Sequence, residues 1–279
     1  MEKLTNLKIG RVQVVLDQAD FSNILLDKRD TGVLIALLNR PQKLNAIDQK
    51  LHDEIIALIH GVSEDRGVRA VVLGGNGRSF TAGGDFTSID WATADHATQQ
   101  HELQSTQREA LRLINSLLLL EKPIVSAVHG YAMGLGANLA LLCDVVVVGT
   151  GTTMAETHVN LGLVPGDGGA LIWPLLLGVN RAKWFLMSGE RISGAQLYEL
   201  GLANFLVDDE QVLAKAIECA ELLAAKTPAA VAGAKMAVNQ FVRLASSLVM
   251  PLSIALEGAT LLSQDFGQAQ ASFAGPRRP

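Results

Sequence analysis

Short, wholly apolar runs alternate with amphipathic helical periods along most of this chain, and that alternation limits its fold more than any other feature. Ile24 to Leu26 and Val33 to Leu38 flank the polar stretch Asp27 to Gly32, a pattern that predicts two strands joined by a turn. Asp48 stands at an N-cap position ahead of Leu51, Ile55, Leu58, Ile59 and Val62, whose three-and-four spacing predicts an amphipathic helix. Ala70 to Leu73 is the next strand, ending in Gly74 and Gly75. A polar segment to about Gln100 then precedes a helix that finishes in Leu117 to Leu120. Lys122-Pro123 stops that helix, Ile124 to Val128 reads as a strand, Gly134 to Cys143 as a helix, and Val145 to Val148 as a strand buried on both faces. The repeated exchange of strand and helix puts the chain in the α/β class.

Beyond about Val207 the pattern turns helical: Val212 to Ala225, Ala229 to Leu244 and Leu252 to Leu262 are helical in period and separated at Pro228 and Pro251. We therefore divide the chain into a core over 1–207 and a helical region over 208–279. The alanine-rich helical faces are too apolar to stand alone in water, so they are expected to pack on the core or on a neighbouring subunit. A net charge of -5 offers no clustered cations for phosphates, and no nucleic-acid partner is expected. The first residues, MEKLTNLKIG, lack the apolar stretch of a secretory signal, and no run approaches the roughly 18 to 20 apolar residues of a membrane span. Cys143 and Cys219 both sit inside apolar helical patterns, as reduced thiols would. These features together predict a cytoplasmic protein with no membrane partner.

Two glycine-rich loops carry the chemistry. Gly74-Gly75-Asn76-Gly77-Arg78-Ser79-Phe80-Thr81-Ala82-Gly83-Gly84-Asp85 directly follows a strand, and Gly130-Tyr131-Ala132-Met133-Gly134-Leu135-Gly136-Ala137-Asn138 joins a strand to a helix. Backbone amides left unpaired at such places can face an anion. A dinucleotide fingerprint fails because Phe80 stands where the third glycine belongs, and neither loop has the Gly-Lys-Ser/Thr of a nucleotide-binding loop. Gly130 and Gly134 lack the apolar span of a membrane dimerisation motif.

The order of these segments resembles the enoyl-CoA hydratase/isomerase (crotonase) superfamily. The resemblance rests on Leu38-Asn39-Arg40-Pro41, Leu44-Asn45-Ala46, Ser79 to Asp85, Lys122 to Gly130, Leu141-Leu142-Cys143-Asp144, Gly162-Leu163-Val164-Pro165-Gly166 and Ser188 to Ala195. It implies a spiral of ββα units followed by a C-terminal helical trimerisation region, assembled as a homotrimer or a dimer of trimers. It also implies an oxyanion hole formed by the amides of Gly84 and Leu135. A leucine replaces the usual glycine at 135, which a backbone amide tolerates.

Hydratases that the chain resembles carry two glutamates, and here Asn138 and His158 stand in their places. The carboxylate pair that adds water across an enoyl double bond is missing. Instead, Glu156-Thr157-His158 leads into Val164-Pro165-Gly166-Asp167. A histidine with an ordinary pKa of about 6.5 suits a base near neutrality, and an aspartate on its other nitrogen would fix the tautomer. This pattern, with Trp173-Pro174, Leu177-Gly178, Asn180-Arg181 and Phe185-Leu186 after it, looks like the 6-oxocamphor hydrolase type of β-diketone hydrolase. That likeness implies that water activated by His158 and Asp167 attacks a β-diketone and that a carbon-carbon bond breaks in a retro-Claisen step.

His52 resembles a histidine of the same hydrolases, although a solvated helix position is the expectation for it. Glu257 is a candidate proton donor, with the hydrolase glutamate falling two residues on, opposite Ala259. Asn138 and Trp91 are further candidates to meet substrate or move a proton. His96 and His101 are expected on polar helix surface, and His129 is expected to be structural. Thr87 replaces a basic residue of some coenzyme A binders. The alternatives are a coenzyme A thioester enzyme, with coenzyme A present only as part of the substrate, and a non-catalytic scaffold. No metal-ligand spacing appears, and neither a metal nor an organic cofactor is expected.

Overall fold

A computed structural model describes residues 15–85 and 94–274. Thr87 and Trp91 lie outside the described residues.

The predicted strand pair forms as β1 (Ile24–Lys28) and β2 (Val33–Leu38), which pair antiparallel with Ile24 opposite Leu38. From β2 the main sheet continues in parallel through β3 (Ala70–Gly75), β4 (Ile124–Val128), β6 (Val145–Gly149) and β9 (Phe205–Val207). Between β4 and β6 the chain makes β5 (Tyr131–Met133) and α3 (Leu135–Leu141), while β7 (Thr153–Ala155) follows β6. β5 and β7 pair in parallel, and β7 pairs antiparallel with β8 (Ile192–Ser193), so a small second sheet runs beside the first. β4, β5 and α3, and then β6, β7 and α4 (Gly169–Leu177), each take one strand from either sheet before a helix, and these units give the predicted spiral of ββα turns. The small sheet escapes a periodicity search because three residues are too few to show alternation.

Parallel strands bury both faces, which is why the main-sheet strands read as unbroken apolar runs. On one face Leu34, Leu38, Val71, Leu73, Ile124 and Val148 belong to one large apolar cluster with the buried residues of α1 (Gln49–Glu64) and α2 (His96–Leu119). Asp48 caps α1 as expected, accepting from the Leu51 N–H at 2.9 Å. Asp95 caps α2, so that helix starts several residues before the end of the polar stretch that was expected to precede it. On the other face Val33, Ile35, Val72, Val125 and Val147 pack against α7 (Val212–Ala224). That helix presents Val212, Ala216, Ala220 and Ala224, one small residue per turn, and the small side chains admit close approach to the sheet.

The expected break at Pro251 does not occur. A single helix, α8, runs from Pro228 to Leu261 with Pro251 inside it. A proline removes one backbone hydrogen bond, but Met250, Ser253, Ile254 and Glu257 are buried on both sides of it, against α2 and α4 (Gly169–Leu177). Tertiary packing holds the helix through the defect. By length and composition α8 also has the character of a membrane span, an 18-residue window of it reaching a mean hydropathy of 1.5, contrary to the expectation of no such run. Its buried side nevertheless carries Ser246, Ser253 and Glu257 and packs on protein. After α4 come α5 (Val179–Ser188) and α6 (Gly194–Glu199), and α9 (Gln264–Ala274) closes the described chain over the turn at His158–Leu161.

The first glycine loop is clamped from beneath by Asn45. Its Nδ2 donates to the carbonyls of Asn76 (2.9 Å) and Ser79 (2.8 Å), and its Oδ1 accepts from the Arg40 N–H at 2.8 Å. Its own carbonyl accepts from the Thr81 hydroxyl at 2.6 Å, and its φ of 56° is a left-handed value that asparagine tolerates well. Asn45→Ala leaves three fully or partly buried groups without partners, and we expect it to lower unfolding stability by about 2 to 4 kcal/mol. A shift of the urea midpoint measures this, and a midpoint equal to that of the parent chain would show that the clamp carries no weight.

Candidate active site

The two glycine loops meet along a short stretch of backbone. Thr81 bridges to Ala132, and the Met133 N–H donates to Thr81 O at 3.2 Å. Gly83 lies so close to the Met133 carbonyl that any Cβ would collide with it, and both Gly83 (φ 94°) and Gly134 (φ 49°) occupy the left-handed half of conformational space. The bridge between Ile47 and Gly84 uses the Ile47 N–H to Gly83 O and the Asp85 N–H to Ile47 O. Gly84's own N–H is therefore left out of that ladder. Leu135 opens α3, and the first amides of a helix have no acceptor within it. Both residues are half-buried.

The second loop delivers its backbone to His158. A Cβ on Gly134 would stand 3.5 Å from Cε1 and 3.7 Å from Nδ1 of the imidazole, so the ring lies against the residue next to Leu135. His158 and Asp167 come together, with Nε2 3.2 Å from Asp167 Oδ2, but not through the tautomer-fixing nitrogen where the aspartate was expected, since Nε2 is the nitrogen that Glu257 also approaches. The nitrogen on the far side of the ring has a different partner. Nδ1 is 2.5 Å from Oε1 of Glu156, a fully buried carboxylate. Burial alone would lower the imidazole's proton affinity, but the charges and hydrogen bonds of Asp167 and Glu156 outweigh it and hold His158 well above its ordinary value. Burial likewise pushes Asp167 up, and His158 and Asn138 together bring it below its ordinary value.

Asn138 is fully buried, and its amide is committed. Nδ2 donates to Asp167 Oδ1 at 2.7 Å and Glu156 Oε1 at 3.2 Å, while Oδ1 accepts from the Trp173 indole N–H at 2.8 Å. Glu257 reaches the same cluster from α8, with Oε1 4.0 Å from His158 Nε2. Glu257 thus faces the imidazole, whereas Ala259 on the same helix is exposed. Burial pushes Glu257 up to about 8, with the charge of His158 opposing and repulsion from Asp167 and Glu156 adding to it, and its buried Oε2 has no hydrogen-bond partner among the described residues. Gly166 passes so close that any side chain there would strike this carboxyl.

His52 is not the solvated residue expected. It is buried between α1 and α2, with Nδ1 3.9 Å from Glu109 Oε2, and burial lowers its proton affinity. His96 and His101 are exposed, and His129 holds the Gly77 carbonyl at 2.9 Å, both in line with expectation. Glu156, His158 and Asp167 place ligand-capable atoms within 4.8 Å of one another, a spacing that a cation tolerates. Both ring nitrogens and both carboxylates are already committed to one another, which is the arrangement of a proton-sharing cluster.

The enoyl-CoA hydratase/isomerase family profile matches residues 28–279. The 2,3-dehydroadipyl-CoA hydratase of Escherichia coli is 32% identical over 77% of this chain and 82% of its own length. An enoyl-CoA hydratase/isomerase structure from Mycobacterium paratuberculosis superposes with a TM-score of 0.83 at 33% identity, covering 90% of this chain and 98% of the other. A β-diketone hydrolase from the cyanobacterium Anabaena, bound to (S)-3-oxocyclohexyl acetic acid, superposes with a TM-score of 0.79 at 28% identity, covering 88% and 96%. With a spiral fold, two converging glycine loops and a profile match over most of its length, this chain belongs to the enoyl-CoA hydratase/isomerase family of the crotonase superfamily.

Proposed function

We propose that this enzyme hydrolyses a carbon-carbon bond of a β-diketone in a retro-Claisen step. The observation that carries the proposal is the buried His158–Asp167 pair beside the second glycine loop, with Asn138 at the other position where hydratases of the family carry a glutamate. An amide already bonded to Glu156, Asp167 and Trp173 moves no proton, so hydration by a carboxylate pair has no second partner here. The structural likeness to a β-diketone hydrolase points the same way.

The chemistry follows from the lone pairs. When the imidazolium gives up its Nε2 proton, the nitrogen lone pair faces the carboxylate of Asp167. A water seated beside this pair can donate to Nε2, which takes its proton as the oxygen attacks one carbonyl carbon of the diketone. Collapse of the adduct breaks the carbon-carbon bond and leaves a carboxylic acid and an enolate, whose charge moves onto the second carbonyl oxygen. The amides of Gly84 and Leu135 are the donors for that oxyanion, and one such donor typically contributes about 2.7 to 4 kcal/mol. Glu257, protonated at neutral pH, supplies the proton to carbon. We include in the proposal that the enzyme works as a homotrimer or a dimer of trimers. An exposed stripe of Val238, Phe241, Leu244, Leu248 and Leu252 along α8 supports that assembly.

The second reading, coenzyme A thioester chemistry in the same oxyanion hole, is favoured by relatives such as the dehydroadipyl-CoA hydratase. Cyclic and linear β-diketones assayed against enoyl thioesters separate the two: loss of enol absorbance is expected, and turnover of thioesters alone would reject the cleavage reading. Turnover of neither would favour the scaffold. His158→Ala and Asp167→Asn are each expected to lower kcat by about 10²- to 10⁴-fold with the fold intact, and unchanged rates in both would remove the dyad from the mechanism.

The pH dependence has a definite sign. The base works only after His158 has lost a proton, at a value raised above the ordinary one, so activity rises with pH on that limb. The acid is lost as pH climbs through about 8, where Glu257 ionises. The kcat profile is therefore expected to peak on the alkaline side of neutrality, and an optimum well below neutral pH would contradict these assignments.

A further inference from the structure

We propose that Glu156 is the positioning residue of the acid-base machinery, the carboxylate that holds the Nδ1 proton of His158 and leaves Nε2 as the one nitrogen that works. The assignment rests on His158 as the acid-base group and not on which bond is cleaved.

Three observations support it. First, Glu156 Oε1 is 2.5 Å from Nδ1, whereas Asp167 lies on the opposite nitrogen at 3.2 Å. Asp167 therefore cannot lock the Nδ1 tautomer. Glu156 ends the short segment that includes β7, only two residues before His158, and its Oε2 also accepts from the His158 backbone N–H at 3.2 Å. One carboxylate thus fixes both the main chain and the ring of the residue it serves.

Second, two carboxylates flanking one ring repel each other, and here a neutral amide joins them. Asn138 Nδ2 donates to both Glu156 and Asp167, and the Trp173 indole N–H, bonded to Asn138 Oδ1, sets which end of the amide faces them. The reverse orientation would point an oxygen at two anions and leave the indole facing an NH2 group. Trp173, with no exposed surface, is in this way part of the support for the histidine.

Third, the remaining groups around the ring do not compete for Nδ1. Asp167, from the loop before α4, and Glu257, from α8, both lie on the Nε2 side. His52 of α1, with Glu109 and Arg112 of α2, forms a separate group whose electrostatic link to this cluster runs through Asp167. β5 and α3 bring Gly134, which carries no charge.

The test uses full-length protein with isotope-labelled histidine and reads the ring nitrogens of His158 by NMR across neutral and alkaline pH, its signals being identified by their absence in His158→Gln. The parent enzyme is expected to deprotonate at Nε2 and keep its proton on Nδ1. A neutral form protonated on Nε2 overturns the proposal, and this holds whether or not any variant folds. Glu156→Gln keeps the hydrogen-bond acceptor and removes the charge, so the His158 midpoint is expected to fall by about one to two pH units. The rising limb of the kcat profile should move by the same amount with KM little changed. An unmoved midpoint in a variant with parent-like circular dichroism also overturns it. Absence of diketone turnover in the parent would reject the cleavage reading alone, because the ring titration needs no substrate.

Discussion

A buried imidazolium held between two buried carboxylates is the interaction on which the rest of this site depends. Ions taken out of water are costly unless each is paired and hydrogen-bonded. His158 satisfies both ring nitrogens, Asp167 and Glu156 share the amide of Asn138, and Asn138 is itself held by Trp173. Removing one member strands a charge rather than merely losing a contact, so the cluster behaves as a unit. Glu257 is the exception that fits the same rule. With one oxygen unpartnered among the described residues, and with anions already present, its carboxyl is pushed up to about 8, which favours the protonated form at neutral pH.

The fold supplies these groups from separate directions. Gly84 comes from the loop after β3, Leu135 from the start of α3, Glu156 and His158 from the chain after β7, Asp167 from the approach to α4, and Glu257 from α8. Parallel strands place the loops that follow them at one edge of the sheet, the usual setting for sites in open α/β proteins. α8 and α9 then cover the loop from 158 to 167, through Ser253 donating to Pro165 O at 2.7 Å and the cluster of Leu163, Leu261 and Phe266. The long C-terminal helix is thereby part of the site's wall as well as of the exposed surface.

Much of this was legible in the chain. The strands of the main sheet are long, apolar and bounded by glycine or proline, and Asp48 marks α1 by a capping chemistry that acts over three residues. What stayed hidden depends on contacts distant in sequence. β5, β7 and β8 are too short to show a period, and Pro251 reads as a break because its local cost is visible while the packing that offsets it is not. His52 looks like helix surface until α2 covers it. Glu156 sits two residues from His158, and that proximity was the available signal. A pair at that spacing on a strand would share a face, but the turn that begins at His158 bends the backbone there, so only coordinates show where the carboxylate reaches. Glu257 was legible only as a candidate, since an alanine-rich helix offers few landmarks for which of its residues reaches the loop from 158 to 167.

The two glycine loops meet beside a buried cluster of His158, Asp167, Glu156 and Asn138. In the proposed cleavage, the water deprotonated at His158 leaves its oxygen in the product. Turnover of a cyclic β-diketone in water enriched in oxygen-18 tests this most directly, with the ring-opened keto acid analysed by mass spectrometry. Retro-Claisen cleavage puts one heavy oxygen into the new carboxylate beyond what exchange of the free diketone introduces. Recovery of uncleaved diketone, with the heavy oxygen appearing instead in a 3-hydroxyacyl thioester made from an enoyl-CoA, would contradict it.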